Sequence, residues 1–367
     1  MKLGLAVAVV LLHVSLQAAA QELVELRKQA LAGVASAQLS LGERYRLGLG
    51  VTPDPAEASL FYTLAAEQDV PEAQFALAEM YRFGEAGAPD YQQAVRWYRR
   101  AAEKGLAEAQ FNLGVMYDNG QGVAQDHREA VRWYRLTAEK GMADAEYNLG
   151  IMYAAGKGVN QDYREAARWY RRAADHRDLP EAEYNLAVLY DRGQGVSQDF
   201  QQAAGWYRRA AQQGHPEAAF NLGLLYAAGQ GVAQDYSEAA RWYRAAAEHG
   251  QPEAEYNLAV LYAEGQGVPQ DFGLAARWYR SAAEQGERDA QLNLAALYVS
   301  GRGIAQDYVL AYQWLVLAAL AGERDASKAQ EHLALRMTPA QIDRARALAA
   351  SWKPCRGDQE CKARTND

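Results

Sequence analysis

The sequence predicts an all-α fold, a solenoid of stacked helix-turn-helix repeats, and three observations carry that expectation. The pattern A-x-x-x-L-G-x-x-Y, with Ala in the Gly slot of four copies, starts at Ala37, Ala73, Ala109, Ala145, Ala182, Ala218, Ala254 and Ala290, 36 residues apart except for 37 between Ala145 and Ala182. Apolar residues inside each copy recur at helical spacing. Gly and Asp punctuate every copy at fixed offsets. A period of this length marks units that bury their apolar faces only by stacking on one another. It overrides the two or three compact domains that 367 residues would otherwise suggest.

Residues 1–20 stand apart from the array. Lys2 precedes an apolar run from Leu3 to Leu12, and Ala18-Ala19-Ala20-Gln21 closes the segment. A basic start, a short apolar stretch and an A-x-A site describe a secretory signal peptide cleaved after Ala20. The run is too short to span a bilayer comfortably, and His13 interrupts it. No Cys follows it as a lipid-anchor site, so the mature chain is expected to be periplasmic or secreted, with no membrane insertion after cleavage.

Residues 21–36 read as an N-terminal capping helix, continuous from Glu22 to Ala35. Eight repeats then occupy 37–325. In the third, Ala109, Leu113 and Met116 share one helical face, and Gly120-Gln-Gly122 ends the first helix through left-handed glycine. Asp126 starts the second helix by accepting its free N–H groups. Glu129 stands three residues on, as in a capping box, and Asp162/Glu165 and Asp235/Glu238 repeat the pair. Ala130, Trp133, Tyr134 and Ala138 form the second buried stripe. Seven of the eight Trp fill one slot, at Trp97, Trp133, Trp169, Trp206, Trp242, Trp278 and Trp314, with Phe61 in the first copy.

Two copies depart from the pattern. Repeat 2 carries Gly84-Glu-Ala-Gly-Ala-Pro-Asp90 where others have G-x-G-V-x-x-D. Repeat 4 ends in Asp175-His-Arg-Asp-Leu-Pro180, one residue longer and without the usual Gly, either a neutral insertion or a local change of pitch. Residues 326–352 read as C-terminal capping helices, one over Asp325–Arg336 and one opened by Thr338-Pro339 and running to Trp352. Residues 353–367 form a polar tail holding the only two Cys, Cys355 and Cys361. In an oxidising compartment these are expected to pair around Arg356-Gly357-Asp358.

The A-x-x-x-L-G-x-x-Y, G-x-G-V-x-x-D and A-x-x-W-Y-x-x-A-A motifs resemble the Sel-one-like repeat family, relatives of the tetratricopeptide repeats. The resemblance covers Ala37 to Asp325. It implies a right-handed α-solenoid that binds proteins as an adaptor or scaffold, in envelope regulation, polysaccharide export or host contact. It also implies that the first helices line a concave groove. On the helical wheel the third, fourth and seventh slots point away from the Ala-Leu-Met stripe. The fourth slot is Asn112, Asn148, Asn185, Asn221, Asn257 and Asn293 in six successive repeats. The third includes Tyr147, Tyr184, Phe220 and Tyr256, after Phe75 and Phe111. The seventh includes Ile151, Val188 and Leu224. These residues are the candidate partner-binding groove. The alternative is contact between neighbouring first helices, with Asn bonding to backbone. Lys and Arg are nearly absent from the central slots, which argues against a charge clamp for a peptide's carboxylate there.

Little points to chemistry. Lys plus Arg give +38 and Asp plus Glu −46, a net charge of −8 that suits nucleic acid poorly. The six His show no metal-ligand spacing, and no G-x-S-x-G or S-x-x-K occurs. Some cysteine-rich members of the family have been called penicillin-hydrolysing, so the missing S-x-x-K counts against that activity. The repeated Asp are explained by capping, and the Gly-x-Gly loops follow helices rather than strands. The expectation is a non-enzymatic chain without cofactor that takes a protein or peptide partner. A hydrolase acting on cell-wall or β-lactam substrates, and a glycan-binding module using the aromatic slots, are the alternatives.

Overall fold

The computed structural model describes residues 21–355. The expected leader over 1–20 and the tail from Arg356, with Cys361, lie outside the described residues. Among the described residues there are nineteen helices and no strand, an all-α repeat solenoid. Helix α1 covers residues 21–31. Eight hairpins follow: α2 (Ala35–Leu47) with α3 (Pro55–Glu67), α4 (Pro71–Phe83) with α5 (Tyr91–Glu103), α6 (Ala107–Asn119) with α7 (His127–Ala138), and α8 (Ala143–Ala155) with α9 (Tyr163–His176). Next come α10 (Pro180–Arg192) with α11 (Phe200–Gln212), α12 (Pro216–Ala228) with α13 (Tyr236–Ala247), α14 (Pro252–Glu264) with α15 (Phe272–Glu284), and α16 (Arg288–Ser300) with α17 (Tyr308–Leu320). Helices α18 (Arg324–Ala334) and α19 (Pro339–Ser351) close the array.

The chain divides into two compact units at Arg177/Asp178, inside the insertion that ends repeat 4. In the first unit α3, α5 and α7 each pack on their own first helix and on the first helix of the next repeat, and α9 packs on α8. The second unit repeats that plan, and its last hairpin helix, α17, packs against both α18 and α19.

Local chemistry explains the element boundaries. All eight repeated Asp, from Asp54 to Asp307, cap the second helices by accepting two backbone N–H groups each. The expected capping boxes do not form at Asp126, Asp162 or Asp235. The N–H that a box would satisfy already donates to a first-helix carbonyl, as Asp126 does to Tyr117 at 2.9 Å. Glu129, Glu165 and Glu238 turn instead to Arg132, Arg168 and Arg241, at 3.4, 3.4 and 3.5 Å. A reciprocal box occurs at Thr338/Gln341, with Pro339 in the first turn. The N-terminal cap is not one helix to Ala35: Gly33 takes φ +90°, which breaks the chain between α1 and α2.

The second glycine of the G-x-G loop has a packing duty. Gly122 has φ +71°, and a Cβ there would stand 2.2 Å from the carbonyl oxygen of Tyr91, at the start of the preceding repeat's second helix. Only glycine lets the two backbones meet. Between them, Ala from both helices and fully buried rings such as Tyr62, Tyr98, Tyr134 and Tyr207 fill the core.

Candidate protein-interaction site

Burial sorts the slots of each first helix. In α6, Ala109, Gln110, Leu113, Gly114 and Met116 are buried, leaving Phe111, Asn112 and Val115 half-buried. The same holds for Tyr147, Asn148 and Ile151 on α8 and for Tyr184, Asn185 and Val188 on α10. On α12, Phe220 and Asn221 are half-buried and Leu224 is 40% exposed. Tyr256, Asn257 and Val260 on α14, and Asn293 on α16, continue the rows as half-buried groups.

The third-slot rings are anchored within their own repeats, and the hydroxyls of Tyr184 and Tyr256 also bond to Asn221 and Asn293 of the next first helix. Phe75, Phe111, Tyr147, Tyr184, Phe220 and Tyr256 each tilt against a second-helix tyrosine with centroids 5.8 to 5.9 Å apart. His215 stacks on Tyr184 at 4.5 Å. These rings are half-covered, whereas stacking a sugar takes an open aromatic face.

Five of the six asparagines bond to side chains. Asn112 donates to Glu79 at 3.0 Å and reaches the Tyr98 hydroxyl at 3.5 Å. Asn148, Asn221, Asn257 and Asn293 bond in the same way to the hydroxyls of Tyr134, Tyr207, Tyr243 and Tyr279, each on the preceding repeat's second helix. Burial is the main cause that pushes these phenols above their usual range, Tyr243 to about 12. They stay neutral hydroxyls at any physiological pH. The ladder therefore supplies an inter-repeat hydrogen bond to a buried oxygen, an expense otherwise borne as an unsatisfied polar group.

Sequence reasoning missed three further devices. Arg99, Arg135, Arg208 and Arg280 donate to the hydroxyls of Tyr117, Tyr153, Tyr226 and Tyr298 of the next repeat, at 2.6 to 2.7 Å. Their fixed separation of 18 residues was the available signal. Second-helix arginines also lie over the tryptophans, as Arg100 over Trp97 at 4.9 Å and Arg209 over Trp206 at 4.7 Å. The buried second slot of the first helix is the third device. Gln38, Gln74, Gln110 and Gln291 donate there to a carbonyl eight residues back. Repeat 4 has Glu146, which cannot donate. Arg172 pairs with it at 2.8 Å and itself donates to the Ala138 carbonyl at 2.9 Å, while His176 approaches at 2.9 Å.

At the far end, Cys355 is buried, and its N–H donates to the Glu284 carbonyl at 2.9 Å. Its expected partner Cys361 lies outside the described residues. Among the described residues no group of His, Cys, Asp and Glu is arranged to hold a metal. No described helix is long and apolar enough to cross a membrane.

Eight stacked hairpins with conserved spacing and variable first-helix faces define a helical repeat scaffold, a class that fits a protein-interaction role. Residues 35–70, 71–106, 107–142, 143–178, 180–215, 216–251, 252–287 and 288–323 each match the Sel1 repeat, so the chain belongs to the Sel1 repeat family. A Sel1 repeat protein from Oxalobacter formigenes is similar at 33% identity and a TM-score of 0.66, over 87% of this chain and 93% of that one. A protective antigen of uropathogenic Escherichia coli strains with an SLR fold is similar at 29% identity and a TM-score of 0.58, over 94% of this chain and 97% of that one. No curated protein matches the chain.

Proposed function

We propose that the protein is a non-enzymatic scaffold that holds an extended polypeptide along the first-helix face of repeats 5 to 8, in the periplasm or outside the cell. The observation that carries the reading is the row of half-buried or exposed apolar groups at fixed slots: Tyr184, Phe220 and Tyr256, beside Val188, Leu224 and Val260. Tyr184, Val188, Phe220, Tyr256 and Val260 pack one side against the core, and all of the row keeps part of its surface in contact with solvent. The Asn amides add polar capacity, since each has a carbonyl acceptor besides the N–H groups that tyrosine hydroxyls can take. Export through residues 1–20 and pairing of Cys355 with Cys361 belong to the same proposal. They require a mature chain that starts at Gln21 and contains no free thiol.

A photo-crosslinking residue placed at Leu224 tests the face. Leu136, 39% exposed on the second helix α7, is the control of equal exposure. Crosslinks to a discrete partner in cells are expected at 224 and not at 136. Equal labelling at both sites, or none at 224, removes the reading.

A further inference from the structure

The second unit contains an apolar cavity of about 350 Å3 lined by Leu292, Ala296, Val299, Leu315, Leu333 and Arg336, among others. Leu292, Ala296 and Val299 lie on α16, where Leu292 and Ala296 occupy the third and seventh slots, the same slots that form the rows on α10, α12 and α14. Helix α18 lies across the end of those rows and supplies Ala329, His332 and Leu333, and the turn that follows it supplies Arg336. The cavity is thus the blind end of the first-helix face. Its floor is apolar and well packed: Leu315 is 3% exposed and Leu333 4%.

Its lip is cationic. The Arg336 guanidinium donates to the Tyr308 hydroxyl and lies 4.7 Å from that ring. This fixes the group at the cavity while leaving most of its five donors for another acceptor. His332 stands one turn earlier on the same side. No Asp or Glu lines the cavity, although the chain as a whole carries a net charge of −8. An apolar pocket edged by a held guanidinium complements a ligand that carries an apolar group next to a carboxylate.

The geometry points to the carboxyl-terminal residue of an extended polypeptide as that ligand, with a Leu- or Phe-sized side chain in the cavity and the terminal carboxylate on Arg336 and His332. This deepens the groove reading, on which it rests for the direction of the chain. It also explains how a terminal carboxylate is held when the central slots have no Lys or Arg: the capping segment provides the charge. The volume is several times that of one large side chain, so entry needs no rearrangement of α18.

The test uses the full mature chain and fluorescein-labelled hexapeptides Gly-Ser-Gly-Ser-Gly-Xaa, with Xaa as Leu, Phe or Asp, each as free acid and as amide. The Leu and Phe acids are expected to bind at least about tenfold more tightly than their amides and than the Asp acid, the effect of one lost charge-assisted hydrogen bond or of a buried charge. Arg336→Gln should erase the acid preference, and Arg336→Lys should restore part of it. Ala296→Leu, at an exposed position, should fill the cavity and weaken the Leu and Phe acids alike, with unchanged circular dichroism. Equal binding of acid and amide, or none at millimolar peptide, overturns the proposal. Binding of dodecanoate, read by calorimetry, with no measurable peptide binding also overturns it, in favour of a fatty acid. The groove reading is separated by Leu224→Asp. If capped, longer peptides bind and respond to that change while hexapeptide acids do not bind, the pocket fails and the groove stands. If the hexapeptides bind and depend on Arg336 while no longer peptide responds at Leu224, the groove fails and the pocket stands.

Discussion

Repeats 2 and 6 share one skeleton and differ on one face. Ala73 and Ala218, Leu77 and Leu222, and Tyr98 and Tyr243 are buried at equivalent places, and Asp90 and Asp235 cap their second helices alike. On the outer face of the first helix, repeat 2 carries Ala76, Glu79 and Arg82 where repeat 6 carries Asn221, Leu224 and Ala227. In repeat 2, Glu79 accepts from the buried Tyr98 hydroxyl and pairs with Arg82 at 3.8 Å. In repeat 6, Asn257 of the next repeat serves Tyr243, and the seventh slot is released to an apolar side chain. The need to satisfy a buried hydroxyl is the same in both. An Asn of the following repeat reaches the hydroxyl in both, Asn112 and Asn257, and what differs is the seventh slot, where Glu79 bonds to the tyrosine in repeat 2 and Leu224 leaves the slot apolar in repeat 6.

The largest effect should fall on what the two repeats share. Tyr98→Ala and Tyr243→Ala should each cost about 3–5 kcal/mol, the range for truncating a buried aromatic, read as a lowered urea midpoint. Trp206, half-buried where Trp97 is 6% exposed, should cost less than Trp97 when truncated. A cost in repeat 6 below 1 kcal/mol with repeat 2 in the expected range would show that the skeletons are not equivalent. The G-x-G contact belongs to the same skeleton. Gly122→Ala combines left-handed strain with collision against Tyr91 and should cost about 2–4 kcal/mol in the same assay.

A smaller effect separates repeats 3 and 4 at the buried second slot. Gln110 bonds its carbonyl unaided; Glu146 needs Arg172. Arg172→Leu, the residue repeat 3 has at that place, leaves Glu146 buried beside His176 alone. It should cost about 2–3 kcal/mol, below the usual 3–5 for breaking a buried pair because Arg172 is partly exposed. Adding Glu146→Gln rebuilds the arrangement of repeat 3 and should recover most of the loss. If the double variant is no better than the single one, the two solutions are not interchangeable.

The skeleton was legible in the sequence because every slot that sets it is repeated eight times: Ala, Leu and Tyr by burial, Asp by its cap, Gly by its positive φ. The face was legible as a position but not as a set of bonds. Six Asn in register announced a shared role, yet the partner of five of them is a tyrosine in the preceding repeat, 14 residues earlier for Tyr98 and Asn112, and no single helical wheel brings the two together. Glu146 could not be told from an exposed Glu, since its compensation sits on another helix. The cavity under α18 was hidden for a related reason. Its lip comes from a capping segment outside the repeat pattern, so Arg336 occupied no slot to be compared.

The smallest expected effect is a pH dependence that repeat 6 has and repeat 2 lacks. Before α12 stands His215, where repeat 2 has Val70 before α4. The Nδ1 of His215 accepts from the Ala218 N–H at 3.3 Å, a bond that requires that nitrogen to be unprotonated, whereas Val70 offers no side-chain cap. Burial holds the His215 pKa below its ordinary 6.5, against the opposing pull of Glu217 and Glu181. Its folded pKa thus lies below its unfolded one. The contribution is fully present above pH 6.5 and is lost as pH falls from there through the folded value, because the unfolded chain takes up the proton first. His215→Val should remove a cap worth about 0.5–1 kcal/mol at pH 7.5. The wild type should then lose more stability than the variant between pH 7.5 and 5.5. Urea midpoints of both proteins at the two pH values measure it. A fall of equal size in both would assign the pH dependence to groups other than His215 and leave repeats 2 and 6 alike in this respect.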